Sequence, residues 1–132
     1  LLVLDDMLWE TDWSLELRFH PWGDNFESTG NVCTISGKRA VLQAELLTSK
    51  SVESELSYLP AEDRNGNPDE LLTLRYTRRG RNWRNATAIS WAPASQPPPD
   101  VQFRTSGDTW RFVVGSRNIV FDWASGKVVF GP

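Results

Sequence analysis

The sequence predicts an all-β fold: a two-sheet antiparallel β-sandwich of roughly ten short strands with little or no helix, in one domain spanning residues 1–132. Three observations carry this. Apolar and polar residues alternate in short segments, and Gly, Pro, Asn and Asp separate those segments. No stretch longer than about ten residues has apolar positions at helical spacing with a cap at both ends. Seven tryptophans in 132 residues give the aromatic load of a compact β domain.

The elements follow in chain order. "LLVLDDMLWE" is an apolar run closing on two aspartates, too short for a membrane span and without the basic start of a signal peptide. It reads as a strand entered midway, as expected of a fragment cut from a longer chain. In "DWSLELRFH" the side chains of Trp13, Leu15, Leu17 and Phe19 share one face, and Ser14, Glu16, Arg18 and His20 share the other. Further strands are expected at Asn31 to Ser36, Arg39 to Leu47, Val52 to Tyr58, Leu71 to Arg78 and Ala86 to Trp91. The last four run over Val101 to Arg104, Thr109 to Val114, Ile119 to Asp122 and Lys127 to Phe130.

"SGKR" at Ser36 to Arg39 and "ASGK" at Ala124 to Lys127 read as hairpin turns whose glycine takes a positive φ. "PASQPPPD", Pro93 to Asp100, cannot donate a ladder of hydrogen bonds and reads as the crossing between sheets. The one place left open for a short helical turn is Pro60 to Arg64.

Composition narrows function. A formal net charge of -3 does not suit a nucleic-acid partner, no segment calls for a membrane, and no cofactor is called for. One cysteine, Cys33, cannot form an intrachain disulfide, and one histidine, His20, excludes metal sites of several histidines. His20 ends a strand before Pro21 and has no partners recognisable from spacing. Cys33, between Val32 and Thr34, reads as inert packing, without the basic neighbours that activate a thiol.

"DRNGNPDE" offers oxygens at Asp63, Asn65, Asn67 and Asp69, two residues apart. A calcium loop needs its glycine at the sixth position, where a proline stands, so a plain Asn-Gly turn is favoured. The "NAT" tripeptide at Asn85 to Thr87 fits the glycosylation pattern but carries no weight by itself.

"RYTRRGRNWR", Arg75 to Arg84, stands apart, with five arginines in ten residues. Guanidinium forks grip carboxylate and sulfate bidentately, while Trp83 and Tyr76 could stack on a sugar face. Arg75, Arg78, Arg79, Arg81, Trp83 and Arg84 are therefore the candidate ligand-binding residues, for an acidic glycan. The competing and favoured reading makes Gly80 to Asn85 the solvated tip of a hairpin between two strands, with Glu53, Glu55 and Glu70 neutralising several arginines. Convergence of the arginines decides between them. No catalytic and no metal-binding residue is assigned.

In order, "LLVLDDM", "DWSLELRFHPWGD", "VCTISGKRAVLQAELLTSKSVES" and "WRFVVGSRNIVFDWASGKVVF" resemble the C-terminal β-sandwich region of the heparinase II/III-like polysaccharide lyases. The resemblance implies a sandwich that follows an α-helical toroid, the missing N-terminal catalytic domain being its partner in the same chain. It also implies a parent enzyme cleaving acidic polysaccharides by β-elimination, in a periplasmic or secreted bacterial setting. The tyrosines and histidines those lyases use for proton abstraction lie mainly in the toroid, so this fragment is expected to be inactive alone. Tyr58 and Tyr76 match no catalytic motif, and the arginine cluster has no counterpart in the family.

Three readings result. The chain braces the toroid of a lyase and contacts its acidic polysaccharide; or it is an independent carbohydrate-binding module, with several of Trp9, Trp22, Trp83 and Trp123 coplanar on one surface. The third is a ligand-free interaction sandwich, marked by a large apolar patch.

Overall fold

The structure is a computed structural model that describes every residue except 22–24. Its described residues form ten strands and no helix. These are β1 (Leu2–Phe19), β2 (Phe26–Thr29), β3 (Val32–Ser36), β4 (Ala40–Leu47), β5 (Glu53–Glu62), β6 (Pro68–Pro93), β7 (Val101–Ser106), β8 (Thr109–Val114), β9 (Arg117–Asp122) and β10 (Lys127–Gly131). All pairings are antiparallel. One sheet runs β1-β6-β4-β3-β2 with β5 also on β6, and the other runs β10-β9-β8-β7. The expected all-β sandwich is the observed architecture, and the proline-rich segment after β6 connects its two sheets.

The largest departure from the sequence reading is β6, an uninterrupted strand of 26 residues. Leu71 to Arg78 and Ala86 to Trp91 are two parts of it, and the residues between them are not a hairpin tip. Their backbone is held by β1, which pairs with β6 from Leu2↔Ala88 to Phe19↔Leu74. Fully extended, 26 residues would reach about 85 Å, several times the radius of gyration of about 14 Å expected for so short a chain. The strand must therefore bend.

The register locates the bend. Leu8 faces Asn82 and Trp13 faces Gly80, so residues 9–12 of β1 bulge opposite Arg81 alone. On the other flank β4 ends at Leu47↔Ala86 and β5 begins at Glu53↔Thr77, leaving residues 48–52 to pass residues 78–85. Gly80 sits at the turn-over with φ 155°, which side chains rarely adopt. A Cβ there would stand 3.2 Å from Arg78 Nη1. Gly80→Val is expected to cost about 1–3 kcal/mol through backbone strain, measured as a lowered urea midpoint with an unchanged slope.

Bending the large sheet over itself makes the first core. Leu15 of β1 and Leu74 and Tyr76 of β6 meet Cys33, Leu46 and Trp83 from beyond the bend. The inward positions of β6 change phase across it, from the even residues 74 and 76 to the odd residue 83, as a bulge requires. A second core fills the space between the sheets, with Leu47, Ala86 and Ala88 against Val101, Trp110 and Phe112. Leu46 and Leu47, adjacent in β4, point to opposite faces and serve one core each.

Smaller differences have local causes. β5 continues through Pro60 to Glu62, so the segment open to a helical turn is strand over its first three residues, and Asp63 and Arg64 belong to the connection to β6. Among the described residues it pairs only with β6, and a proline lacking its N–H is tolerated on such an edge. β2, unmarked by alternation, forms by pairing with β3. The turn at Gly126 has the expected positive φ of 66°, whereas the β3–β4 connection closes without one at Gly37, whose N–H donates to the Ala40 carbonyl at 2.9 Å.

The Asn-Gly turn joins β5 to β6, with Gly66 at φ 80°. Asp63 Oδ1 accepts the backbone N–H groups of Asn65 at 2.8 Å and Asn67 at 2.9 Å, and Oδ2 accepts the Asn67 amide at 3.0 Å. These donors, the Asn67 side chain foremost, hold the Asp63 carboxyl down to about 2. Because the folded value lies below the ordinary 3.8, the stabilisation is present above that value and is lost as pH falls through about 2. The Asp63 carboxyl-carbon resonance should titrate with a midpoint near 2; a midpoint at 3.8 would contradict the loop geometry.

Candidate functional site

The arginine cluster separates into two groups along the bent strand. Arg75 reaches Glu55 and lies 3.7 Å from Glu16. Arg81 pairs with Asp12 at 3.3 Å. Arg84 pairs with Asp6 at 3.2 Å and with Asp108 in the β7–β8 turn, and its guanidinium stands 5.2 Å over the Trp123 ring. The carboxylates hold Arg75 and Arg84 protonated, Glu55 acting foremost on Arg75 and Asp108 on Arg84. These three arginines clasp carboxylates of the fold itself.

Arg78 and Arg79 make no ion pair among the described residues. Arg78 arches over Gly80 and donates Nη1–H to the Asn82 carbonyl at 2.8 Å, which fixes its guanidinium. Arg79 has no such anchor among the described residues. The two arginines line a groove of about 900 Å³ where the β4–β5 connection passes the bend, and Lys50, also without an ion pair among the described residues, lines it too.

The groove contains more than cations. Trp13 lines it with 59 % of its surface exposed, and its Nε1–H donates to Thr11 Oγ1 at 2.7 Å, which ties down the ring. Ser14, Ser51 and Thr77 contribute hydroxyls, and Asp12 and Glu53 contribute carboxylates. With Asp12 already joined to Arg81, Lys50, Arg78 and Arg79 face only the unpaired carboxylate of Glu53. In an acidic chain this is a local excess of positive charge beside an indole face.

No family model matches this chain, and neither a curated protein nor a solved structure does. The geometry of the chain itself is what speaks to function.

Of the sequence candidates, then, Arg78 and Arg79 converge on a groove, while Arg75, Arg81 and Arg84 point into ion pairs spread along the sheet. Trp83 needs correction: it is 0 % exposed and its Nε1–H donates to Thr48 Oγ1 at 3.2 Å, so no ligand can stack on it. Tyr76 is likewise buried, and burial pushes its hydroxyl up to about 12. Trp13 and Lys50 were missed. Alternation assigns Trp13 to the inner face beside Leu15, which is right, but the core stops at Leu15 and leaves the indole outside. Lys50 lies in a connection with no signal of its own.

The remaining candidates do not form a reactive centre. His20 is exposed, with Nδ1 3.2 Å from Thr73 Oγ1. Cys33 is buried, and desolvation raises its thiol to about 11, which removes the thiolate at neutral pH. Asn85 is 0 % exposed within β6, so the "NAT" tripeptide offers no acceptor in the folded chain. Of the tryptophans named for a binding surface, Trp9 is 55 % exposed, Trp123 packs edge-on to Trp110 and Phe121, and Trp22 lies outside the described residues. No described helix is long and apolar enough to cross a membrane.

A second cleft, of about 580 Å³, opens between the sheets at the edges of β1 and β10. Leu2, Leu4, Trp91, Phe112, Val128 and Phe130 line it, with Trp91 64 % and Phe130 76 % exposed. Its lining is almost wholly apolar.

Proposed function

We propose that this chain is a non-catalytic β-sandwich that holds an acidic polysaccharide in the Trp13 groove, as the accessory C-terminal sandwich of a heparinase II/III-like polysaccharide lyase. One observation carries the binding reading: Lys50, Arg78 and Arg79, three of the cations without a carboxylate partner among the described residues, line one groove together with an exposed, anchored indole. Guanidinium forks suit a carboxylate or sulfate, the indole suits the C–H face of a pyranose, and the groove hydroxyls suit its hydroxyls. The strand resemblance described above supports the lyase context. The apolar cleft between the sheets supports the bracing part of the role, since an exposed apolar surface of this kind suits contact with a neighbouring domain.

The test compares two classes of arginine. Wild-type chain is titrated with heparin, alginate and a neutral glucan at low and at physiological salt, then with R78A/R79A and with R81A. The anionic glycans should bind in a salt-sensitive manner, and R78A/R79A should weaken them at least tenfold, about 1.4 kcal/mol. R81A, which removes no cation from the groove but uncovers the Asp12 carboxylate at its wall, should weaken binding by less than R78A/R79A does. Absence of binding to every anionic glycan defeats the proposal.

A further inference from the structure

Trp13 lines more than one groove. A second groove of about 570 Å³, beside the β1 bulge, shares Trp13 and Ser14 with the first and is lined also by Asp6, Leu8, Trp9 and Glu16. Leu8 is 76 % and Trp9 55 % exposed, on a strand whose far edge carries no partner among the described residues. A soluble chain rarely clusters an exposed leucine and two exposed indoles on one strand without something to cover them.

The two grooves differ in charge. Lys50, Arg78 and Arg79 line the first, and no cation lines the second. There the polar groups are the Ser14 hydroxyl and the carboxylates of Asp6 and Glu16, which Arg84 and Arg18 hold in place at 3.2 Å and 2.6 Å. Because both carboxylates are already in ion pairs, this groove has no spare cation to grip a carboxylated or sulfated sugar. An uncharged pyranose would give the carboxylate oxygens its hydroxyl protons and lay its C–H face on an indole.

We infer that the Trp9 groove is a second sugar subsite, for an uncharged pyranose, adjoining the acidic-sugar subsite of the Lys50 groove. The inference rests on the proposed glycan-binding function and sharpens its ligand to a chain in which acidic and neutral units are neighbours. The bulge is the device that permits this: residues 9–12 loop out of the ladder, so that Trp9 and Trp13 line the same groove.

Calorimetric titration with three oligosaccharides of equal length tests it. The probes are hyaluronan, with alternating acidic and neutral units, polygalacturonate, acidic throughout, and a neutral cello-oligosaccharide. Hyaluronan is expected to bind at least tenfold more tightly than polygalacturonate, and W9A should lower hyaluronan affinity about tenfold while leaving polygalacturonate unchanged. Because Trp9 is exposed, circular dichroism of W9A should match wild type. Equal affinity for the two acidic probes, with no effect of W9A, overturns the subsite but leaves anionic-glycan binding standing. No binding of any probe overturns both.

Discussion

Trp83→Ala is expected to destabilise the chain by about 3–5 kcal/mol, the range for emptying a large buried aromatic site. Trp83 is the largest fully buried side chain among the described residues and stands where the two arms of the bent sheet close on each other. Its removal opens a cavity against Leu15, Leu46, Leu74 and Tyr76 and takes a donor from Thr48, which in turn accompanies the Arg84 carbonyl at 3.3 Å. Since domains of this size are stable by only about 5–15 kcal/mol, the variant should lose a large part of its urea midpoint. A tryptophan on a solvated tip would change stability by no more than about 0.5 kcal/mol, so the experiment separates the continuous strand from the hairpin.

Phe112→Ala should cost a comparable 3–5 kcal/mol, for a different reason. Phe112 is 0 % exposed, stacks on Phe103 with centroids 5.4 Å apart, and anchors the contact between the two sheets. The two cores share no residue. The gentler substitutions W83F and F112L should therefore add within about 0.5 kcal/mol in the double variant, measured by denaturant unfolding. A coupling well above that would mean the faces of the large sheet do not act as separate cores.

Much of this architecture is legible in the sequence. Alternation marks β8 and the second half of β1, because each has one face on a core and period-2 patterning records it. Gly66 and Gly126 mark hairpins because their conformations demand glycine. The bend of β6 is not legible. "RRGRN" contains no apolar residue to carry the pattern, and its glycine, which serves a bend within a strand, has the same local chemistry as a hairpin glycine. What keeps this segment in the sheet is the ladder to β1, a contact between residues more than sixty positions apart.

The candidate site was half legible for the same reason. Arginine content singles out the segment, but which arginine is neutralised depends on carboxylates that the fold delivers from β1, β5 and the β7–β8 turn. Trp13 illustrates the converse. Its alternation places it correctly on the inner face, and only the end of the core beyond Leu15 exposes it.

The binding claim is tested most directly by the seven indole N–H resonances of the chain, assigned by single Trp→Phe variants and followed during titration with an acidic oligosaccharide. The Trp13 signal should shift progressively to saturation, with Trp83 and Trp110, both buried, unmoved. A spectrum in which Trp13 stays fixed while Trp91 at the apolar cleft moves, or in which no indole responds, would contradict a glycan site at the bend.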